Sequence, residues 1–227
     1  MLLAMAACTG TTEPSVVVFS EDFGGTYPGN WSQFPPPSSR GTSGIDPDVG
    51  NPKPSLALYN FCRQAPFTDP ALNICAPTAS IVGNATDFEL GGTNSVSVAV
   101  DVLLQPLTGG GTALAGFSIG STLENGSASL SVNLQEGVEI YSFCSSSTAN
   151  CSVVQVPFSP DGRFHTYRFI AEANRSRWQR DGVNQLSANA GLDGQFQVHL
   201  SAIGIDVIGA KREYPVAYFD NVRVTQP

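Results

Sequence analysis

The sequence lacks an excess of basic residues. Its 227 residues include 11 lysines and arginines against 19 aspartates and glutamates, which gives a formal net charge of −8. A general binder of nucleic acid or of anionic membranes needs a positively charged surface. The composition therefore argues against both kinds of partner and leaves other partners open.

The sequence also lacks the apolar spacing of a long amphipathic helix. Instead it contains 23 glycines and 16 prolines, which favour turns between short strands. Residues 96–104 and 127–135 alternate between apolar and smaller or polar side chains, the period of a strand with one face in a core. We predict further strands at 15–20, 56–61, 113–119, 137–143, 152–157, 164–172, 176–180, 183–187, 195–203 and 215–225.

Many short strands separated by turns predict an all-β protein, an antiparallel β-sandwich of the jelly-roll type. Single all-β domains of ~200–250 residues are common. We therefore expect one domain over residues 15–227, preceded by a leader and tether at residues 1–14. Residues 24–54 contain three consecutive prolines and are predicted to form a long irregular surface loop.

No Cys-x-x-Cys pair occurs and there are only two histidines, so the ligand spacing of a zinc site is missing. Four of the five cysteines lie in the body of the chain and predict two disulfides. Three pairings are open. The short separations favour Cys62–Cys75 and Cys144–Cys151, each stabilising by roughly 2–4 kcal/mol. The alternative is four free thiols in a cytosolic protein.

The fifth cysteine, Cys8, follows small residues in an apolar N-terminal stretch. This segment resembles a bacterial lipoprotein signal. The resemblance implies lipidation of Cys8, a flexible tether over residues 9–14, and a location in the cell envelope or outer membrane with membrane contact only through the anchor. An ordinary secretory leader cut near Ala7 is the alternative, and under both interpretations the protein is exported.

Three motifs mark the C-terminal third of the chain. Residues 161–168 read Asp-Gly-Arg-Phe-His-Thr-Tyr-Arg, residues 178–182 read Trp-Gln-Arg-Asp-Gly, and residues 218–224 read Tyr-Phe-Asp-Asn-Val-Arg-Val. This set resembles the concanavalin A-like lectin/glucanase superfamily, especially its laminin-G-like branch, over most of residues 15–226. The resemblance implies a two-sheet jelly roll, and a shared fold does not by itself imply a function.

The resemblance also implies a structural Ca²⁺ between the first and last strands. Calcium takes six to eight oxygen ligands, and the predicted ligands are Glu21, Asp22, Asp220 and Asn221. Phe219 and Val222 both look like core residues but differ in parity, so a bulge near Asp220 is required to bury both. The alternative is that Asp220 and Asn221 only satisfy loop amides and that the two N-terminal carboxylates are solvated.

No catalytic residues are predicted. Enzymes of the glucanase branch carry Glu-x-Asp-x-(x)-Glu on one strand, and that motif is absent; Glu136 and Glu139 are the nearest pair, at a spacing that puts them on opposite faces of a regular strand. Residues 116–120 match Gly-x-Ser-x-Gly but alternate as a strand, which argues against a nucleophile elbow. Residues 197–199 match one of the motifs of alginate lyases, without the others.

The candidate carbohydrate-binding residues are Trp31, Tyr141 and Arg168. Aromatic rings can stack on sugars, and arginine donates paired hydrogen bonds to acidic groups. Tyr167 and Trp178 are expected in the core instead. The leading prediction is an exported, lipid-anchored, non-catalytic module that binds carbohydrate or a glycosylated surface. The alternatives are a polysaccharide hydrolase or lyase on the same scaffold, and an adhesion or structural protein; the oligomeric state is open.

Overall fold

The computed structural model describes thirteen segments of the chain: residues 15–25, 31–34, 41–61, 78–84, 88–90, 95–104, 112–121, 126–133, 137–145, 151–172, 174–190, 194–205 and 213–226. Cys8, Cys62 and Cys75 lie outside these residues. The lipid anchor, the export of the protein and the first disulfide therefore stay predictions.

The described residues form sixteen strands in two antiparallel sheets. The first sheet has the order β14-β13-β12-β7-β16-β4-β3, with β1 also paired to β16. Its strands are β1 (Val16–Glu21), β3 (Gly41–Asp46), β4 (Ser55–Phe61), β7 (Val96–Leu104), β12 (His165–Glu172), β13 (Arg175–Arg180), β14 (Val183–Ala188) and β16 (Glu213–Gln226).

The second sheet has the order β11-β10-β9-β8-β15-β5-β2, with β6 also paired to β15. Its strands are β2 (Trp31–Phe34), β5 (Thr78–Asn84), β6 (Phe88–Leu90), β8 (Thr112–Ser121), β9 (Gly126–Asn133), β10 (Val138–Ser145), β11 (Cys151–Pro157) and β15 (Gly194–Ile205). The all-β antiparallel sandwich predicted from the sequence is confirmed.

The core lies between the two sheets and follows from alternation. On β7 the valines at 96, 98, 100 and 102 are buried, as the period of two predicts. Tyr167 and Trp178 join them, at 1% and 0% exposure, and both were expected in the core. From the second sheet, Ile119, Ala128, Phe196, Val198 and Leu200 point into the same cluster.

One part of the expected layout is wrong. Residues 24–54 were predicted to be irregular, yet they contain β2 and β3. β3 consists of small and polar residues, Gly-Thr-Ser-Gly-Ile-Asp, so it carries no apolar alternation. It forms because its backbone pairs with β4, from Gly41↔Asn60 to Asp46↔Ser55, an interaction that does not depend on side-chain pattern.

The predicted bulge is present in β16. Its register against β7 shifts between Asp220 and Arg223, and Asn221 has a φ of 49°, a left-handed conformation that asparagine tolerates better than most residues. Phe219 and Val222 are both fully buried. The extra residue therefore reconciles the opposite parity of these two core side chains.

Cys144 and Cys151 form a disulfide between the adjacent strands β10 and β11, as predicted. No helix that is long and apolar enough to cross a membrane occurs in the part of the chain that the structure describes.

We expect the double substitution Cys144→Ser and Cys151→Ser to destabilise the protein by about 2 kcal/mol, because the bond closes a short loop of sequence separation 7. Urea unfolding of the variant and the parent measures the difference. Equal stabilities would show that the strand pairing alone holds β11 in place.

Candidate functional site

The outward side of the second sheet presents small and polar residues, and we call this surface the polar face. Directly paired residues of antiparallel strands share a face. One row of pairs crosses β15, β8, β9 and β10 as His199, Ser118, Ser129 and Ser142. The intervening residues Val198, Ile119, Ala128 and Tyr141 are buried, so this row points outward.

A parallel row on the polar face runs through Gln197, Gly120, Ser127 and Cys144. Neighbouring strands lie about 4.8 Å apart, so four strands give a surface roughly 14 Å wide. Glycine and serine add little bulk to it. The polar face is therefore a low surface with hydroxyl and amide groups, suited to an extended polar ligand.

His199 is half-buried on β15, at the end of its row on the polar face, where desolvation lowers the pKa of its imidazole. At neutral pH the ring is uncharged and can accept a proton. Ser118, the central residue of the Gly-x-Ser-x-Gly match, lies within β8. The strand-turn-helix corner of a nucleophile elbow is thus absent at this serine.

Glu89 is the one acidic residue at the outward positions that the structure describes on this sheet. It lies on β6 and pairs with Gln195 of β15. The next pair, Phe196 and Phe88, is buried, so Glu89 has an outward register position. Sequence reasoning missed it because β6 has only three residues, Phe-Glu-Leu, too few to show a period.

A second carboxylate, Glu139, lies inside the sandwich. It points inward from β10 with no exposure to solvent. The hydroxyls of Tyr141 and Tyr167 each donate a hydrogen bond of 2.6 Å to it, and Nη1 of Arg180 lies 3.1 Å from its Oε1. Burial, followed by the nearby Glu139 carboxylate, raises the pKa of both tyrosines well above the usual range.

Arg180 connects this buried cluster to the surface. Its guanidinium packs over the ring of Phe158 at 5.3 Å, and its Nε lies 3.7 Å from Asp181. His165 in turn lies 2.7 Å from Asp181 and 3.1 Å from Asp161. Because these groups close the end of the core over Glu139, the carboxylate is a structural group here and is not accessible to a substrate.

We expect Glu139→Gln to destabilise the protein by about 3–5 kcal/mol, because it breaks the ion pair between the fully buried carboxylate and the partly buried Arg180 guanidinium. The matched control is Glu172→Gln, whose ion pair with Arg177 is partly exposed and contributes about 0–1 kcal/mol. Urea unfolding measures both. Similar losses in the two variants would contradict this role for Glu139.

The outer side of the first sheet carries a pair of buried carboxylates. Asp101 of β7 and Asp220 of β16 are register partners, at 7% and 0% exposure. The backbone amide of Asn51 donates to Asp220 over 2.6 Å. Asn221 Nδ2 donates to Asp101 over 2.9 Å, and the Thr166 hydroxyl does so over 2.6 Å.

Three of the predicted calcium ligands are carboxylates that accept hydrogen bonds from backbone amides. Asp220 also accepts the backbone amide of Asn221, while Glu21 and Asp22 accept those of Phe23 and Gly24. Within the described ranges, no group of three or more histidine, cysteine, aspartate or glutamate side chains could hold a metal ion. The geometry shows carboxylates that bind amides, and calcium stays a prediction.

Burial raises the pKa of Asp220, and the Asp101 charge adds to this effect. A carboxyl group whose pKa is higher in the folded than in the unfolded state stabilises the fold at pH values below its unfolded pKa of about 4. This contribution is lost as the pH rises. We therefore expect Asp220→Asn, which has no such titration, to gain stability relative to the parent between pH 4 and pH 7. Urea unfolding at several pH values in EDTA measures this.

A constant difference across that range would contradict the raised pKa. The same series with Ca²⁺ in place of EDTA tests the metal: a bound ion stabilises the parent by mass action, and Asp220→Asn should remove that gain.

Two of the three predicted sugar-contact residues lie in the core. Trp31 is 4% exposed and packs against Phe23, with ring centroids 5.7 Å apart, and Tyr141 is fully buried. Neither ring can stack on a sugar, because both point inward from their strands. Arg168 is exposed on β12, on the outer side of the first sheet.

Comparisons with solved structures show that this sandwich resembles several carbohydrate-active proteins in fold. The endo-β-galactosidase from Clostridium perfringens that releases GlcNAcα1-4Gal matches with a TM-score of 0.67 at 14% identity. The match covers 94% of this chain, which spans 62% of that protein's length. The laminarinase catalytic domain from Thermotoga maritima MSB8 has a TM-score of 0.62 at 14% identity, over 94% of this chain and 98% of that one.

A Bacteroides ovatus mixed-linkage glucan GH16 protein has a TM-score of 0.60 at 14% identity, over 92% of this chain and all of that one. No protein-family model matches the sequence, and comparison with curated protein sequences found no match. The fold is that of the concanavalin A-like superfamily.

These matches correct the function predicted first. The expectation of a non-catalytic binding module is wrong, because the matching structures named above, which cover 92–94% of this chain, are an endo-β-galactosidase, a laminarinase catalytic domain and a mixed-linkage glucan GH16 protein. They support the alternative, a polysaccharide-degrading enzyme. At 14% identity the likeness itself is one of fold.

Proposed function

We propose that this protein is a polysaccharide-degrading enzyme, a glycoside hydrolase that cleaves within a β-linked glycan bound along the polar face. The observation that carries the proposal is the low, hydroxyl-rich surface across β15, β8, β9 and β10. Its support comes from the fold, which is shared with an endo-β-galactosidase, a laminarinase domain and a mixed-linkage glucan GH16 protein.

The polar face fits a neutral glycan chain. Its width of roughly 14 Å accepts several sugar units, and serine hydroxyls both donate and accept hydrogen bonds. Gly116 and Gly120 leave room for the sugar rings between these groups. A β-linked glucan or galactan is therefore the proposed substrate class.

Glycoside hydrolysis uses two carboxyl groups, about 5–5.5 Å apart in retaining enzymes and ~6.5–9.5 Å apart in inverting ones. Glu89 is our proposed first member, because it is acidic and lies at the polar face. The Glu-x-Asp-x-(x)-Glu motif of the glucanase branch is absent, so it cannot supply the two carboxyl groups. On β9, for example, the alternate positions 127, 129 and 131 are serines.

The second carboxyl group is proposed to come from Glu124 or Asp193. Both lie outside the described residues. Glu124 follows the last residue of β8 by three positions, and Asp193 directly precedes β15. Since Phe196 pairs with Ser121, the last residue of β8 and the first residues of β15 lie at the same end of the sheet, where Glu89 also pairs with Gln195.

His199 has a different proposed role. It lies four residues along β15 from Gln195, about 13 Å for an extended strand, too far to act on the same bond as Glu89. As a neutral ring on the polar face, it can donate a hydrogen bond to a sugar hydroxyl or accept one from it. We assign it to substrate positioning.

We expect the parent protein to release reducing ends from laminarin, mixed-linkage glucan or a β-galactan. Glu89→Gln should lower kcat by at least about 100-fold, because an acid or base is lost. His199→Asn should mainly raise KM. Glu172→Gln, on the other sheet, is the matched control and should leave both constants unchanged.

Glu124→Gln and Asp193→Asn identify the partner carboxylate by the same loss of kcat. Absence of product from all three glycans would overturn the enzyme proposal. Full activity of Glu89→Gln would overturn only the assignment of this residue. Products that absorb as unsaturated uronates from an acidic glycan would indicate a lyase instead of a hydrolase.

A further inference from the structure

Two arginines flank an alanine on the outer side of the first sheet. Arg168 of β12 and Arg223 of β16 are both register partners of Ala99 on the strand between them. We call this set the arginine row, and it continues at its two ends through Gln179, Asn184 and Ser20.

Burial shows that the row points away from the core. Its neighbours along the strands, Phe169, Val98 and Val224, are at most 1% exposed, whereas Arg168 and Arg223 are exposed. Side chains alternate between the two faces of a strand. The arginine row therefore lies on the opposite side of the sandwich from the polar face.

The bulge in β16 puts Arg223 into this row. Without the extra residue at Asn221, alternation from the buried Phe219 would turn residue 223 inward. The register shift instead buries Val222 and places Arg223 opposite Ala99. The same bulge that completes the core thus creates the second positive position on this surface.

Neither arginine of the row has an ion pair or hydrogen bond among the residues that the structure describes. Arg177 and Arg180, by contrast, are engaged with Glu172 and Glu139. At the end of the row, Gln179 donates to Asn184 over 2.9 Å, which holds these amides in place. The row consists of two free guanidinium groups between neutral polar residues, in a chain of net charge −8.

The spacing of the two positive groups suits a repeating anion. Their strands are two positions apart in the sheet, which separates the backbones by about 9.5 Å, close to the length of a disaccharide. Guanidinium binds carboxylate or sulfate with two parallel hydrogen bonds. The small side chain of Ala99 leaves the space between them open to a sugar ring.

We propose that the arginine row is a second glycan-binding surface, which binds an acidic polysaccharide through carboxylate or sulfate groups on successive disaccharides. It holds the chain on the side of the sandwich opposite the polar face. This surface is independent of the catalytic assignment, because no residue of the row belongs to the polar face.

The test measures binding of the full chain to three immobilised glycans: alginate as a polyuronate, dextran sulfate as a polysulfate, and laminarin as a neutral chain. The variant is Arg168→Ala with Arg223→Ala. The control is Arg163→Ala, which removes one positive charge from an exposed position in the turn before β12; the single variants Arg168→Ala and Arg223→Ala are compared with it at equal charge. Melting temperatures verify that each variant is folded.

We expect the parent to bind at least one acidic glycan more tightly than laminarin, and more weakly as NaCl is raised. The double variant should lose at least about tenfold in affinity, and Arg163→Ala less than about twofold. Replacement of both arginines by lysine should recover binding only in part, because lysine cannot form the paired hydrogen bonds.

A preference for alginate assigns the surface to carboxylates, and a preference for dextran sulfate assigns it to sulfates. No preference for acidic over neutral glycans would overturn the proposal. So would equal losses in the double variant and in Arg163→Ala, or binding to anionic phospholipid vesicles without binding to either acidic glycan. Hydrolysis of laminarin is scored separately, so failure here leaves the enzyme proposal standing.

Discussion

The requirement that both sheets turn an apolar face to one core governs this molecule, and β16 shows how it is met. A strand with strict alternation can bury Phe219 or Val222 but not both. The bulge at Asn221 buries both. It also turns Arg223 outward beside Arg168, and it brings the Asn221 side chain to Asp101. Core packing, the carboxylate pair and the arginine row thus depend on one inserted residue.

Polar groups inside the sandwich follow a related constraint. A buried carboxylate is costly unless charges and hydrogen bonds compensate for lost water. Glu139 meets this condition through two tyrosine hydroxyls and Arg180. Two backbone amides compensate Asp220 only in part, since burial keeps the pKa of this carboxyl raised. Glu139 therefore stabilises one end of the core, while the ionised form of Asp220 costs stability. The surfaces available for ligands are the outward sides of the two sheets, one built of small neutral residues and the other carrying the arginine row beside the Asp101 and Asp220 carboxylates.

Alternation along single strands allowed much of the fold to be predicted. The valines of β7, the core position of Tyr167, the bulge in β16 and the Cys144–Cys151 pair were all visible in local spacing, whereas the core position of Trp178 was implied by the resemblance to laminin-G-like domains. β2, β3, β5 and β6 were not predicted, because they are short or built largely from small residues. β2 pairs with β5, β3 with β4, and both β5 and β6 with β15. Candidate ligand contacts were less predictable: Trp31 and Tyr141 turned out to be core residues, since chemical type alone does not report which way a side chain points.

The sequence by itself determined the class of fold, the parity of the main strands and the absence of a strand with the carboxylate motif of the glucanase branch, because each of these is written in the spacing of neighbouring residues. Only the tertiary structure decided which distant residues meet. Asp101 pairs with Asp220, Arg168 lies in the same row as Arg223, and Glu89 joins the polar face by pairing with Gln195 of β15. Strand order and register bring together these residues, which are 55 to 119 positions apart in the chain. These pairings between distant residues, more than any single sequence motif, define the two candidate ligand-binding surfaces.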